Sequence, residues 1–162
     1  MAEYETTNVK DERANDVWFC NQALKAARDG KITVFTSVLS VAECNTIKSG
    51  LPSPSDDVRI FYDMLLTSGK SGMLLVSLRQ AIAIRARNLR WISGINLKGA
   101  DTVHVATAIE MNCEELWTRD GRIWKARDKI AQFRLNVVRP HETKILPDEY
   151  KQPELPQNPA IK

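Results

Sequence analysis

Four short runs of β-forming residues are spaced along this chain, and the stretches between them are long enough to carry helices. The runs cover 31–36, 73–76, 115–118 and 135–138. Neighbouring antiparallel strands need only a tight turn between them, whereas parallel strands need a crossover of about a dozen residues or more. The spacing therefore predicts an α/β chain with a central parallel sheet flanked by helices on both faces.

The intervening segments read as helices by their apolar period. From about residue 11 to 28, Val17, Cys20, Leu24 and Ala27 recur at helical spacing, and Asp29-Gly30 supplies the stop. Ser37 or Ser40 caps a helix carrying Leu39, Glu43 and Ile47. Residues 50–55 hold two prolines and two serines, the composition of a loop. Helical spacing resumes over 56–67 through Ile60, Met64 and Leu65. It returns over 77–92, where Leu78, Ile82, Leu89 and Ile92 share a face, and over 101–111. Residues 1–10 carry no period and are expected to fray. Residues 141–162 hold four of the seven prolines and are expected to form an extended tail, which leaves one domain over 11–140.

No apolar run approaches the roughly 20 residues of a membrane span. The chain opens on Met-Ala-Glu-Tyr-Glu, which is not a secretory leader, so a cytoplasmic protein is the expectation. Cys20, Cys44 and Cys113 are too far apart for a zinc motif or a disulfide framework, and buried reduced thiols are expected. The net charge of +3 permits a polyanionic partner without requiring one.

The chemistry concentrates in three acids. Asp101 opens a helix, where the positive end of the helix dipole stabilises an acid. Asp120 follows the run 115–118, and Glu43 lies just past 31–36. Taken singly, they read as a first-turn acid, a turn residue before Gly121 and a surface helix glutamate. Taken together, they lie where α/β sheets bind ligands, at the carboxyl ends of strands. Carboxylates gathered there repel one another unless a cation neutralises them. Mg²⁺ or Mn²⁺ suits such an all-oxygen site.

The stretches Thr36-Ser-Val-Leu-Ser-Val-Ala-Glu43, Lys98-Gly-Ala-Asp101-Thr-Val-His-Val-Ala-Thr-Ala108 and Thr118-Arg-Asp120 resemble the acidic motifs of PIN-domain ribonucleases. Among these, the toxin members of type II toxin–antitoxin pairs are the nearest in character. The resemblance covers roughly residues 11–140. It implies a PIN-like three-layer fold and a metal-dependent endoribonuclease that hydrolyses RNA phosphodiester bonds. Glu43, Asp101 and Asp120 would be the catalytic, metal-binding acids for Mg²⁺ or Mn²⁺. Thr118 would orient the loop carrying Asp120 or touch a phosphate. The resemblance further implies a small antitoxin partner, whose basic side chain the acids would attract, and a homodimer.

One departure accompanies the match. Family members open with an apolar strand ending in an aspartate, and residues 1–10 contain no such strand. Asp11 and Asp16 precede or lie within the first helix and do not replace that acid. The chain reads as a family member that starts late, weakly active or completing its sheet with another chain. The alternative reading is a non-catalytic PIN-like module that binds RNA or a protein. A small phosphatase would share the acids, but no nucleophile or phosphate-cradling loop is recognisable.

Basic residues near the acids suit an RNA backbone, with Arg119 and Arg122 best placed and Lys125 and Arg127 extending the patch. Arg79, Arg85, Arg87 and Arg90 read singly as a solvated helix face. Trp124 is the candidate base-stacking residue, while Trp18 and Trp117 read as core. His104 reads as a packed helix residue, and His141 is assigned no role.

Overall fold

The computed structural model describes residues 2–44 and 54–152, with side-chain surroundings from Glu12 onward. Helix α1 (Ala2–Arg28) leads into strand β1 (Val34–Ser37) and the short helix α2 (Leu39–Glu43). Helix α3 (Asp56–Tyr62) continues into a π turn at Asp63–Thr67, followed by β2 (Met73–Val76). Two longer helices come next, α4 (Gln80–Trp91) and α5 (Gly99–Glu110). Strand β3 (Glu115–Trp117), helices α6 (Gly121–Lys125) and α7 (Arg127–Ile130), and strand β4 (Asn136–Val138) complete the alternation. Single 3₁₀ turns follow at Pro140–Glu142 and Asp148–Tyr150.

All four expected strands form, and both pairings are parallel. They make two separate two-stranded sheets, β1–β2 and β3–β4, with no ladder between β1 and β3. Two core clusters flank them. One joins Ile82 and Leu89 of α4, Val105 and Ala106 of α5, Ile123, Ile130 and Val137, with Leu116 and Val76 against it. The other joins Ala23 and Ala26 of α1 to Leu146 and Tyr150, with Val34 and Trp117 against it. Successive strand residues point to opposite faces, so Leu116 and Trp117 place the clusters on opposite sides of β3. The architecture is helix, sheet, helix.

Several expectations need correction. Helix α1 begins at Ala2, well before the periodic stretch. Its inward stripe is buried Asp16, Ala23 and Ala26 with partly buried Phe19, while Val17 is 54% exposed. Asp16 lies on that inward face, bonded to Arg119 and His141. The end of α1 behaves as its sequence demands. Gly30 takes a positive φ of 70°, and Lys31 N–H reaches back to the Ala26 carbonyl at 2.9 Å.

On α4 the buried face is Ile82, Ala86 and Leu89, whereas Leu78 and Ile92 are exposed because they lie outside the helix ends. Cys20 and Cys44 are exposed rather than buried, while Cys113 is partly buried; all three are free thiols. Of the expected tail, residues 141–152 are packed: Leu146 is 1% exposed and Tyr150 is 8% exposed. Apolar side chains between the prolines find the alanine face of α1. The expectations for Ile47, for 50–53 and for 153–162 lie outside the described residues.

Candidate metal and nucleic-acid site

Asp101 is the third residue of α5, whose entry bends without a side-chain cap at Lys98. One turn on, His104 shares its face. Asp120 caps α6: its Oδ1 accepts from Arg122 N–H at 2.6 Å. The Thr118 hydroxyl accepts from Asp120 N–H at 3.0 Å, fixing the approach to that cap. Glu43 closes α2, whose entry is set by Leu39 N–H donating to the Ser37 hydroxyl. Two strand ends and the start of α5 thus deliver the three acids to one cavity of about 840 Å³, lined by Glu43, Asp101 and Asp120 together with His104 and Arg122.

Within that cavity the acids are paired unequally. The Arg122 guanidinium lies 2.8 Å from Asp120 Oδ2 and 3.3 Å from Asp101 Oδ2. It serves as the internal countercharge that holds the two carboxylates together. Hydrogen bonds from the Arg122 side chain and backbone hold the Asp120 carboxyl down at about 2, and the Asp120 carboxylate raises the guanidinium in return. Glu43 instead meets His104 Nε2 at 2.6 Å. Among the described residues, no three of His, Cys, Asp and Glu gather into a metal-binding group.

One atom stands apart. Asp101 Oδ2 is buried and makes no hydrogen bond; its nearest cation is Arg122, at ion-pair distance. A buried carboxylate oxygen without a donor is costly unless a positive charge compensates it. Asp101 and Asp120 therefore fit a divalent cation as a two-carboxylate pair, and Glu43 lies beside that pair under the hold of His104.

The other expected site residues are placed as follows. Arg119 is committed to Asp16. Trp124 packs against the α4–α5 core, with the guanidinium carbons of Arg127 and Arg139 at 5.0 and 4.8 Å from its ring centre. Arg85 pairs with Glu110 at 2.7 Å, and Arg87 lies over Trp91.

The acid set aside from the sequence, Asp16, is central to a second cluster. It is 3% exposed and bonds the Nδ1 atom of His141 at 2.6 Å, the His141 backbone N–H and the Arg119 side chain. Burial pushes its carboxyl up, but the bonds from His141 and Arg119 outweigh burial and hold it below the usual carboxylate range. Its signal was present in the sequence: Asp16 is in helical step with Phe19, Ala23 and Ala26. A buried acid demands bonded partners, and Arg119 and His141 supply them.

The PIN domain family model matches residues 20–129 of the chain. The chain belongs to the PIN-domain family. PIN domains are in general nucleases that act on RNA, and they typically use divalent metals. Comparison with curated proteins and with solved structures gave no significant match. No helix among the described residues is long and apolar enough to cross a membrane.

Proposed function

We propose that this PIN domain is a metal-dependent endoribonuclease that hydrolyses RNA phosphodiester bonds, with Mg²⁺ or Mn²⁺ as its ion. The observation that carries the reading is Asp101 Oδ2, buried without a hydrogen bond and joined to Asp120 across Arg122. Asp101 and Asp120 would hold the ion, and Glu43 is the third acid. When bound, such an ion supplies water activation and charge neutralisation at the scissile phosphate. Arg122 keeps the two carboxylates from repelling one another. With its carboxylates taken over by the ion, the same guanidinium is free for an RNA phosphate. Thr118 orients the Asp120 cap. Arg119 and Trp124 remain candidate RNA contacts, through the exposed part of a guanidinium held by Asp16 and a ring already carrying two arginines.

The decisive experiment is RNA cleavage by the purified chain with Mg²⁺, with Mn²⁺ and with EDTA. Cleavage is expected with either metal and should vanish with EDTA. Asp101→Asn should lower it by about 10²-fold or more. Calorimetric Mn²⁺ titration gives an independent reading: equal binding by wild type and Asp101→Ala would sink the metal assignment.

A second reading is favoured by one observation. Glu43 is tied to His104 and Arg122 occupies the space between the other two acids, which suits a non-catalytic module that binds RNA or a protein. RNA binding without cleavage under every metal condition would select it.

The biological setting we infer is a cytoplasmic toxin with a small antitoxin partner and a homodimeric state. The acids would attract a basic side chain from that partner. Induced expression in a bacterial host should arrest growth, and Asp101→Asn should relieve the arrest. Light scattering should return twice the chain mass; a monomer mass would rule out the dimer.

A further inference from the structure

The arginines near the acid site divide by what their charge meets. Arg119 is held by Asp16, Arg122 by Asp120 and Asp101, and Arg85 by Glu110. Arg139 and Arg127 differ. The Arg139 guanidinium donates to the Thr118 carbonyl at 3.1 Å, and that of Arg127 donates to the Trp124 carbonyl at 3.2 Å. Among the described residues, no carboxylate pairs with the Arg139 guanidinium; the Glu142 carboxylate accepts from the Arg139 backbone N–H at 3.0 Å instead. Arg127 meets Asp128 at 3.8 Å, and that acid is 87% exposed. A neutral carbonyl takes one N–H of a guanidinium and leaves its charge and its other donors in place.

Both guanidiniums lie against Trp124, whose ring is seated on the α4–α5 core and so holds them in place. This platform is tied to the acid loop twice. Thr118 accepts Arg139 on its carbonyl and the Asp120 N–H on its hydroxyl. Trp124 N–H donates to the Asp120 carbonyl at 3.0 Å, so ring and acid stand one turn apart on α6, a rise of about 6 Å. A second stacked pair, Arg87 over Trp91, belongs to α4, and its guanidinium bonds Asn88 rather than the acid loop.

We propose that Arg139, Arg127 and Trp124 form a phosphate clamp for the RNA strand beside the acid site. The clamp presupposes RNA as the ligand of that site, the function proposed above. Its two guanidiniums take a backbone phosphate neighbouring the one at the acids, and the strand then runs along α6. Arginines already paired with acids must give up an ion pair to bind a phosphate; these two bind without that loss. Contact with the backbone alone positions the strand and reads no sequence. The link through Thr118 and Asp120 favours RNA over an acidic protein segment, because one strand then meets the clamp and the acids together.

The test is fluorescence anisotropy of a labelled single-stranded RNA of about 12 nucleotides with the full chain in EDTA, over roughly 50–300 mM KCl. Each phosphate contact to a single strand contributes about 0.7 to the slope of log affinity against log salt. Arg139→Gln and Arg127→Gln should each weaken binding about fivefold to tenfold at the lowest salt and reduce the slope by about 0.7. Arg139→Lys, which keeps the charge, should keep the slope. Arg87→Gln, which breaks the stacked pair on α4, should change neither quantity. A role confined to holding Thr118 in place would leave every slope as it is in the wild type. Unchanged slopes in both Gln variants at the clamp would therefore overturn the proposal, as would an equal loss of slope in Arg87→Gln. So would a wild type that binds no RNA, or displacement of the RNA by an equal concentration of an oligoglutamate peptide of the same length. Cleavage with Mn²⁺ separates the two readings. The expected slopes without cleavage keep the clamp and sink the nuclease; cleavage with unchanged slopes does the reverse.

Discussion

Arg122 decides the state of the acids at the site. Its bonds lower the Asp120 carboxyl from 3.8 to about 2. The unfolded chain therefore binds this proton more readily than the folded chain does. The stabilisation is complete above about pH 4 and is lost as the pH falls towards 2. Carboxyl-detected titration should show Asp120 with that depressed midpoint, and Arg122→Ala should return it towards 3.8. Asp16 follows the same sign. Asp16→Asn leaves the Arg119 charge and the His141 bonds without their buried acid, and the expected loss is about 3 kcal/mol in chemical denaturation. Neither cluster follows from spacing alone. Arg119 and Arg122 both lie within two residues of Asp120 in the sequence, yet one turns to a helix over a hundred residues away and the other folds back on Asp120. Only the packed structure separates a phosphate contact from an internal counterion.

Among the elements, the strands were the most legible, because short β-rich runs between long helical segments admit few arrangements. Helix faces were less so. The stripe on α1 was misplaced because the apolar pattern gave no weight to an acid, while the true stripe is built on Asp16 and two alanines. The close approach of α1 to β2 rests on Gly72. It has a φ of 85°, and an added Cβ would sit 2.9 Å from the Arg28 backbone nitrogen. Gly72→Ala meets both the left-handed backbone and that collision, so a loss of about 1–3 kcal/mol is expected in a denaturant titration. In the cluster with Ala23 and Ala26 of α1, Leu146 is almost wholly buried. Leu146→Ala should cost about 2–4 kcal/mol and lower the melting temperature by roughly 5–10 °C.

At the scale of the whole molecule, the two core clusters make two zones of different dependence. The α4–α5 cluster is built from residues 82–137, whereas the α1 cluster needs Leu146 and Tyr150. Tyr150 is also bonded to Asp29 at the end of α1, which raises its hydroxyl to about 12. A chain ending at Arg139 loses His141, Leu146 and Tyr150 together. Its α1 amides should lose protection in hydrogen exchange while those of α4 and α5 keep theirs; uniform loss would show a single cooperative unit. That zoning was invisible in a proline-rich segment, because prolines mark where helices and strands stop and say nothing of what the residues between them touch.

The cage around Asp16 also orders events during synthesis. Asp16 leaves the ribosome early, but its partners lie 103 and 125 residues downstream. Until they emerge, the face of α1 that will be buried carries an uncompensated negative charge and stays in water. Seating of α1 therefore waits on residues far downstream, and a nascent chain stalled before Arg119 has neither partner for Asp16.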